Sequence, residues 1–323
     1  MVQRARQIAA TVVFLAAGVA AAAVVTFAQQ DPVATMFRSD LKREQSLALS
    51  FLPIELPAAG AAAALNVYLS AGDLERAFDD SAFRPAAAIV PTNTGLLITA
   101  ASPSTQRVLI SRVSKQTAVL ADLQDQIALR KKQASADGVV LQIGVDTFVA
   151  ELPRSGRARD DKAAFPQRVC LIATDFPAGG AVDHRDLFAQ DRVRRGVAGC
   201  LAALDKAGAT SVTMPLLGAA SAKRQSNDPV FEGQRQLKEC RALNAVAGIA
   251  LGIHDFAPNR HAIREIGIVQ WDQEITDMFS GSRLGQTAYR AFAEQIKTAM
   301  NKGIAGEKTT ANDINGACAA TLN

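Results

Sequence analysis

The spacing of apolar and polar positions changes period several times along this chain, and each change marks an element. Val169 to Thr174 is a short apolar run of the kind a buried strand makes. From Asp191 to Ala207 the apolar residues Val193, Val197, Cys200, Leu201 and Leu204 recur at helical spacing, and Gly208 stops the run. Ser211 to Leu217 returns to a buried-strand pattern. The three pieces have the length of a parallel crossover, so the helix is predicted to join two parallel, adjacent strands. The second strand ends in Gly218-Ala219-Ala220-Ser221, four small residues where backbone N–H groups could close on a phosphate. The same four residues also suit a plain flexible turn.

The rest of the chain alternates in the same way. Leu65 to Leu69 and Ala86 to Val90 read as strands, Ser104 to Gln133 as mostly helix, and Val139 to Ile143 with Thr147 to Ala150 as paired strands. Phe231 to Ile253 is predicted helical, Glu265 to Trp271 a last strand, and Leu284 to Met300 a terminal amphipathic helix. Strands alternating with helices predict an α/β fold with a mixed, mostly parallel sheet and helices on both faces, a three-layer sandwich. The predicted organisation is a targeting segment over residues 1–28, a linker or stem over 29–63, the α/β domain over 64–304, and a loose tail over 305–323.

Composition adds limits to this picture. With 49% apolar and 20% charged residues the chain is of the folded type, not the disordered type. A net charge of +4 and scattered Lys and Arg, apart from Arg130-Lys131-Lys132, give no nucleic-acid groove. Those three residues fall near a helix C-terminus, where cations suit the dipole. Arg4 and Arg6 precede an uncharged run from Ile8 to Ala28, long enough at helical rise to cross a bilayer core. That run reads as an export signal or a membrane anchor, which puts the protein in the periplasm or outside the cell, or on a membrane. The four cysteines have no CxxC pattern and no His at ligand spacing, so neither a metal site nor a cofactor is expected. Cys170 and Cys200 fall on apolar faces as core residues, and Cys240 with Cys318 could pair in an exported chain.

Four motifs, taken in order, resemble the macro domain, an α/β module known for binding ADP-ribose and related nucleotides. Leu65-Asn-Val-Tyr-Leu-Ser-Ala-Gly72-Asp73-Leu74 is similar to the opening strand and its Gly-Asp-Ile turn, and Ala88-Ile-Val-Pro-Thr-Asn93 to the strand running into a conserved Asn. Thr213-Met-Pro215-Leu-Leu-Gly218 resembles the strand and second ligand loop, and Ile266-Gly-Ile-Val-Gln-Trp-Asp272 the closing strand. The resemblance covers roughly residues 65–279. It implies a nucleotide-like ligand held by the loops after Val90 and Leu217, with Asp73, Asn93, Gly95, Gly218, Ala219, Ala220 and Ser221 as candidate contacts. No carboxylate stands just before the Ala88–Asn93 strand, where Ala87 sits, and the loop beyond Asn93 holds the single glycine Gly95. Each missing contact removes ~1–3 kcal/mol where a ligand's polar atom would be buried unpaired.

Each candidate also has a plain structural role. Asn93 can close a turn as readily as hold a ribose hydroxyl, and Asp73 suits a local cap. Asp183-His184-Arg185-Asp186 holds a His close to carboxylates, but it precedes a helix whose N-terminus favours acidic residues. His254, Asp255 and His261 sit near a helix end and read as structural, and no nucleophile elbow or P-loop is present. No catalytic residue is assigned, and ADP-ribosyl hydrolysis ranks third for want of an acid or base. Two functions lead: a module that binds a nucleotide or phosphorylated metabolite, and an exported or membrane-tethered scaffold that works through its surface without a ligand.

Overall fold

The computed structural model describes residues 54–56, 65–71, 78, 85–98, 104–134, 138–152, 165–175, 190–217, 234–270, 283–310 and 313. Seven strands form one sheet: β1 (Ile54–Leu56), β2 (Leu65–Ala71), β3 (Ala87–Asn93), β4 (Thr147–Glu151), β5 (Arg168–Asp175), β6 (Ser211–Met214) and β7 (Glu265–Gln270). Their order is β1-β2-β7-β6-β3-β5-β4. The five inner strands run parallel, and β1 and β4 close the two edges antiparallel. The helices are α1 (Ser104–Val113), α2 (Thr117–Lys131), α3 (Gln190–Lys206), α4 (Gln234–Phe256) and α5 (Arg283–Ile304).

Alternation along the strands splits the core in two, because successive side chains point to opposite faces. Ala87 and Ile89 of β3 enter a cluster built with Val197, Leu201 and Leu204 of α3, Val246 and Ala250 of α4, and Ile296 and Met300 of α5. Ala88 and Val90 enter the other cluster, with Leu109 and Val113 of α1 and Val119 and Leu123 of α2. Helices therefore cover both faces, as the periodicity predicts.

Four devices fix α3. Cys200 forms a disulfide with Cys170 of β5, with the two Cα atoms 5.8 Å apart and both residues fully buried. Gly248 and Gly252, one turn apart on α4, let the two helices touch: a Cβ at Gly248 would lie 2.7 Å from the Gln190 carbonyl, and one at Gly252 would lie 2.7 Å from the Arg194 carbonyl. Arg194 then donates from Nε and a terminal nitrogen to the two carboxylate oxygens of Asp255, at 2.5 and 2.8 Å. At the far end Asp205, buried, accepts from the backbone N–H groups of His261, Ala262 and Ile263, which sets the entry into β7.

The structure differs from the sequence expectations in several places. The strands that α3 joins, β5 and β6, are parallel but not adjacent, because β3 lies between them. Val139 to Ile143 is not a strand: the N–H groups of Val140 and Leu141 both donate to the Thr94 carbonyl. The helix expected over Ser104 to Gln133 is two helices, broken at residues 114–116. Ile54–Leu56, in the stretch read as linker, is the edge strand β1. The stretch read as a loose tail is tied down at Thr309, whose carbonyl accepts from Gln190, and at Asp313, which pairs with Lys302 at 2.6 Å. The disulfide joins Cys170 to Cys200, whereas Cys240 lies in α4 and Cys318 lies outside the described residues. No helix among the described residues is long and apolar enough to cross a membrane; the run from Ile8 to Ala28 lies outside them.

Candidate functional site

The chain order places a crevice at one point of this sheet. After β3 the chain runs to the edge strand β4 and then back to β5, both on one side of β3, and from β6 it moves the opposite way to its neighbour β7. β3 and β6 are themselves neighbours, so the direction of winding reverses between them. Connections that depart to opposite sides leave a gap beyond the carboxyl ends of the two strands, and ligands of open α/β sheets occupy that gap.

The two strands also part early. β3 stays paired with β5 as far as Asn93, but with β6 only at Ala87 and Ala88. Burial follows the same course on the α3 and α4 face. Ala87 and Ile89 are fully buried, whereas the next two side chains on that face, Pro91 and Asn93, are partly exposed. The Pro91 carbonyl is met by Gln106 Nε2 at 2.6 Å, so a side chain of α1 stands where a strand would otherwise pair.

The loop after β3 is tightly tied. The Asn93 carbonyl accepts from the Leu96 N–H at 2.9 Å, and Asn93 Oδ1 accepts from the Leu97 N–H at 3.1 Å. Thr92 Oγ1 donates to the Leu97 carbonyl, and the Thr94 carbonyl takes the two N–H groups of Val140 and Leu141. Leu96 carries a positive φ of 52° and is fully buried, while Leu97 stands half exposed beside it. Asn93 and Gly95 thus sit at the mouth of the crevice, in a loop held by hydrogen bonds within itself and from Val140 and Leu141. Across it, β6 runs out through Pro215, Leu216 and Leu217, the last two buried in the core.

Of the residues singled out in the sequence, Asn93 and Gly95 lie at this crevice, and Leu217 leads from its opposite side toward Gly218. Asp73, Gly218, Ala219, Ala220 and Ser221 lie outside the described residues, as does Asp183-His184-Arg185-Asp186. His254 Nδ1 meets the Ile304 carbonyl at 2.9 Å, and Asp255 holds Arg194, so both serve the packing of helix ends. The His261 N–H is one of the three that Asp205 accepts. Among the described residues no group of three or more His, Cys, Asp or Glu gathers as a metal site would. Sequence reading missed Gln106 and the tie through Val140 and Leu141, because both join segments far apart in the chain.

No protein-family model matches this chain, and no curated protein matches it. Solved structures do show likeness, and the macro-domain resemblance recurs among them. A point mutant of the Oceanobacillus iheyensis macrodomain has a TM-score of 0.42 at 10% identity, over 78% of this chain and 100% of that one. The same macrodomain with ADP has a TM-score of 0.36 at 11% identity, over 78% and 100%. The macrodomain of Thermus aquaticus DarG has a TM-score of 0.30 at 11% identity, over 57% and 89%. Likeness at such scores says nothing of what this chain binds.

Proposed function

We propose that this protein is a binding module that takes a nucleotide or phosphorylated metabolite of the ADP-ribose kind in the crevice between β3 and β6. The observation that carries the reading is the reversal of winding at two neighbouring strands whose ladder stops short, with Asn93 at the mouth. The ligand class comes from the order of motifs, which sets the small residues Gly218 to Ser221 beyond β6, after Pro215, Leu216 and Leu217. With Ala87 where a macro domain usually has an Asp for the adenine, and a single glycine in the loop after β3, ADP-ribose binding is weaker than in a standard macro domain. The setting proposed is extracytoplasmic, by an N-terminal segment that is either cleaved or retained as an anchor. The Cys170–Cys200 disulfide supports it, since such bonds persist in oxidising compartments.

One observation favours the scaffold reading instead: Asn93 Oδ1 is already engaged by the Leu97 N–H. Calorimetric titration with ADP-ribose, ADP and inorganic phosphate separates the two. The binding reading expects heat from ADP-ribose with the wild type and none with Gly218→Glu, whose bulk and charge block a phosphate, while thermal unfolding reports an intact fold. Absence of heat from all three ligands with the wild type leaves the scaffold as the function.

A further inference from the structure

The early parting of β3 from β6 has a chemical cause in two prolines. The backbone groups of alternate strand residues point to opposite sides. The Gln167 N–H donates to the Ala86 carbonyl, which sets Ala86, Ala88 and Val90 toward β5, so Ala87, Ile89 and Pro91 face β6. In a parallel ladder each such residue bonds to the residues before and after its partner. Ala87 is partnered with Val212, so it reaches residues 211 and 213. The next two steps bring the Ile89 carbonyl to the nitrogen of residue 215 and the nitrogen of residue 91 to the carbonyl of residue 215. Both nitrogens belong to proline and carry no hydrogen. Two further rungs are therefore impossible, and the strands separate at the crevice.

We propose that Pro91 and Pro215 are positioning residues that keep this crevice open, with Gln106 occupying the Pro91 carbonyl that the lost ladder leaves over. The proposal rests on the binding reading for its functional half; the parting of the strands stands without it. Proline in a central strand is otherwise a liability, and here it lies where a fully paired sheet would leave no room for a ligand. Open strands at this point cost stability, so restoring the missing N–H groups raises stability while it removes the site.

The test is the double variant Pro91→Val/Pro215→Val in the full chain, with Pro215→Ala as a milder second variant that restores a single donor. Hydrogen exchange of the new amides by NMR is read first, then thermal unfolding, then ADP-ribose titration. The expected result is protection of the amides at 91 and 215 by a hundredfold or more over an open peptide, a Tm raised by a few degrees, and ADP-ribose affinity lowered at least tenfold. Pro215→Ala is expected to show the protected amide at 215 alone, with a smaller loss of affinity. New amides that exchange as in an unstructured peptide overturn the proposal. Protected amides with wild-type affinity overturn it too, since the ladder would then close without touching the site. A wild type that does not bind ADP-ribose counts against the binding reading, and the exchange result alone then decides whether the prolines hold the strands apart.

Discussion

Leu96 shows how closely the loop at the crevice is determined. A left-handed backbone costs an ordinary residue roughly 1–2 kcal/mol, and glycine avoids that cost. Gly95 stands next to it, yet Leu96 takes the positive φ. The side chain explains the choice: it is fully buried in the cluster under α1 and α2, and burial of a leucine is worth about 1.5–3 kcal/mol. Leu96→Gly relieves the backbone but empties the pocket, so the expected outcome is a net loss of about 1–3 kcal/mol in chemical denaturation, the cavity outweighing the relief. A variant as stable as the wild type would mean that the side chain contributes little. A second residue-scale prediction concerns acid. Lys302 Nζ, with the Thr310 N–H and hydroxyl, holds the Asp313 carboxyl down at about 2 from an ordinary 3.8. A depressed carboxylate contributes stability above its unfolded value, and that contribution is lost as pH falls through the folded one. The difference in Tm between wild type and Asp313→Asn is therefore expected to be steady above pH 4 and to shrink between pH 4 and pH 2. A difference that stays constant across that window would show the pairing to be without effect in solution. At this scale the sequence showed that Asn93 could close a turn, as it does with Leu96 and Leu97, but not the roles of Leu96 and Asp313, which depend on the core under α1 and α2 and on Lys302.

At the scale of elements the apolar period served well where one face alone is buried. α3 was legible from Val197, Leu201 and Leu204, all fully buried, while Val193 packs only partly. Leu201→Ala should cost ~2–5 kcal/mol, measured by chemical denaturation; a loss of a few tenths would mean the helix is not packed as described. Gly252→Ala should cost ~1–3 kcal/mol, because the added methyl meets the Arg194 carbonyl and Val197, and backbone cannot swing aside as a side-chain tip can. Removing the disulfide with Cys170→Ala/Cys200→Ala frees a loop of 30 residues in the unfolded chain and should lower stability by roughly 3–4 kcal/mol. Val139 to Ile143 failed as a strand for a reason the period cannot carry. An apolar run is satisfied equally by a pleated edge or by a loop pressed onto the core, and here the Thr94 carbonyl takes its N–H groups. The free side of β4 is met elsewhere: Gln126 of α2 donates to the Glu151 carbonyl and accepts from its N–H, in the manner of a neighbouring strand. Spacing likewise gave the crossover but not its reach, since no local signal says that β3 slips in between β5 and β6.

For the molecule as a whole, the fold class and the succession of the inner strands and long helices were readable because strands and helices alternate there. The candidate site was legible only in part. Asn93 and the residues leading to Gly218 were found at strand ends, but the crevice itself is a product of strand order, and strand order is set by long-range packing. Export is the whole-molecule proposal that joins the uncharged run from Ile8 to Ala28 to the buried disulfide. Cell fractionation with intact-mass measurement should find the chain outside the cytoplasm or in the membrane, and oxidised at Cys170 and Cys200. Full-length, reduced protein confined to the cytoplasm would reject that proposal. The central claim, that the parting of β3 and β6 is where a ligand sits, is tested most directly by following backbone amides in NMR spectra during titration with ADP-ribose. The account predicts shifts concentrated in Thr92 to Leu97 and in Leu216 and Leu217. Shifts that leave these segments unmoved and gather elsewhere on the sheet or its helices would contradict it.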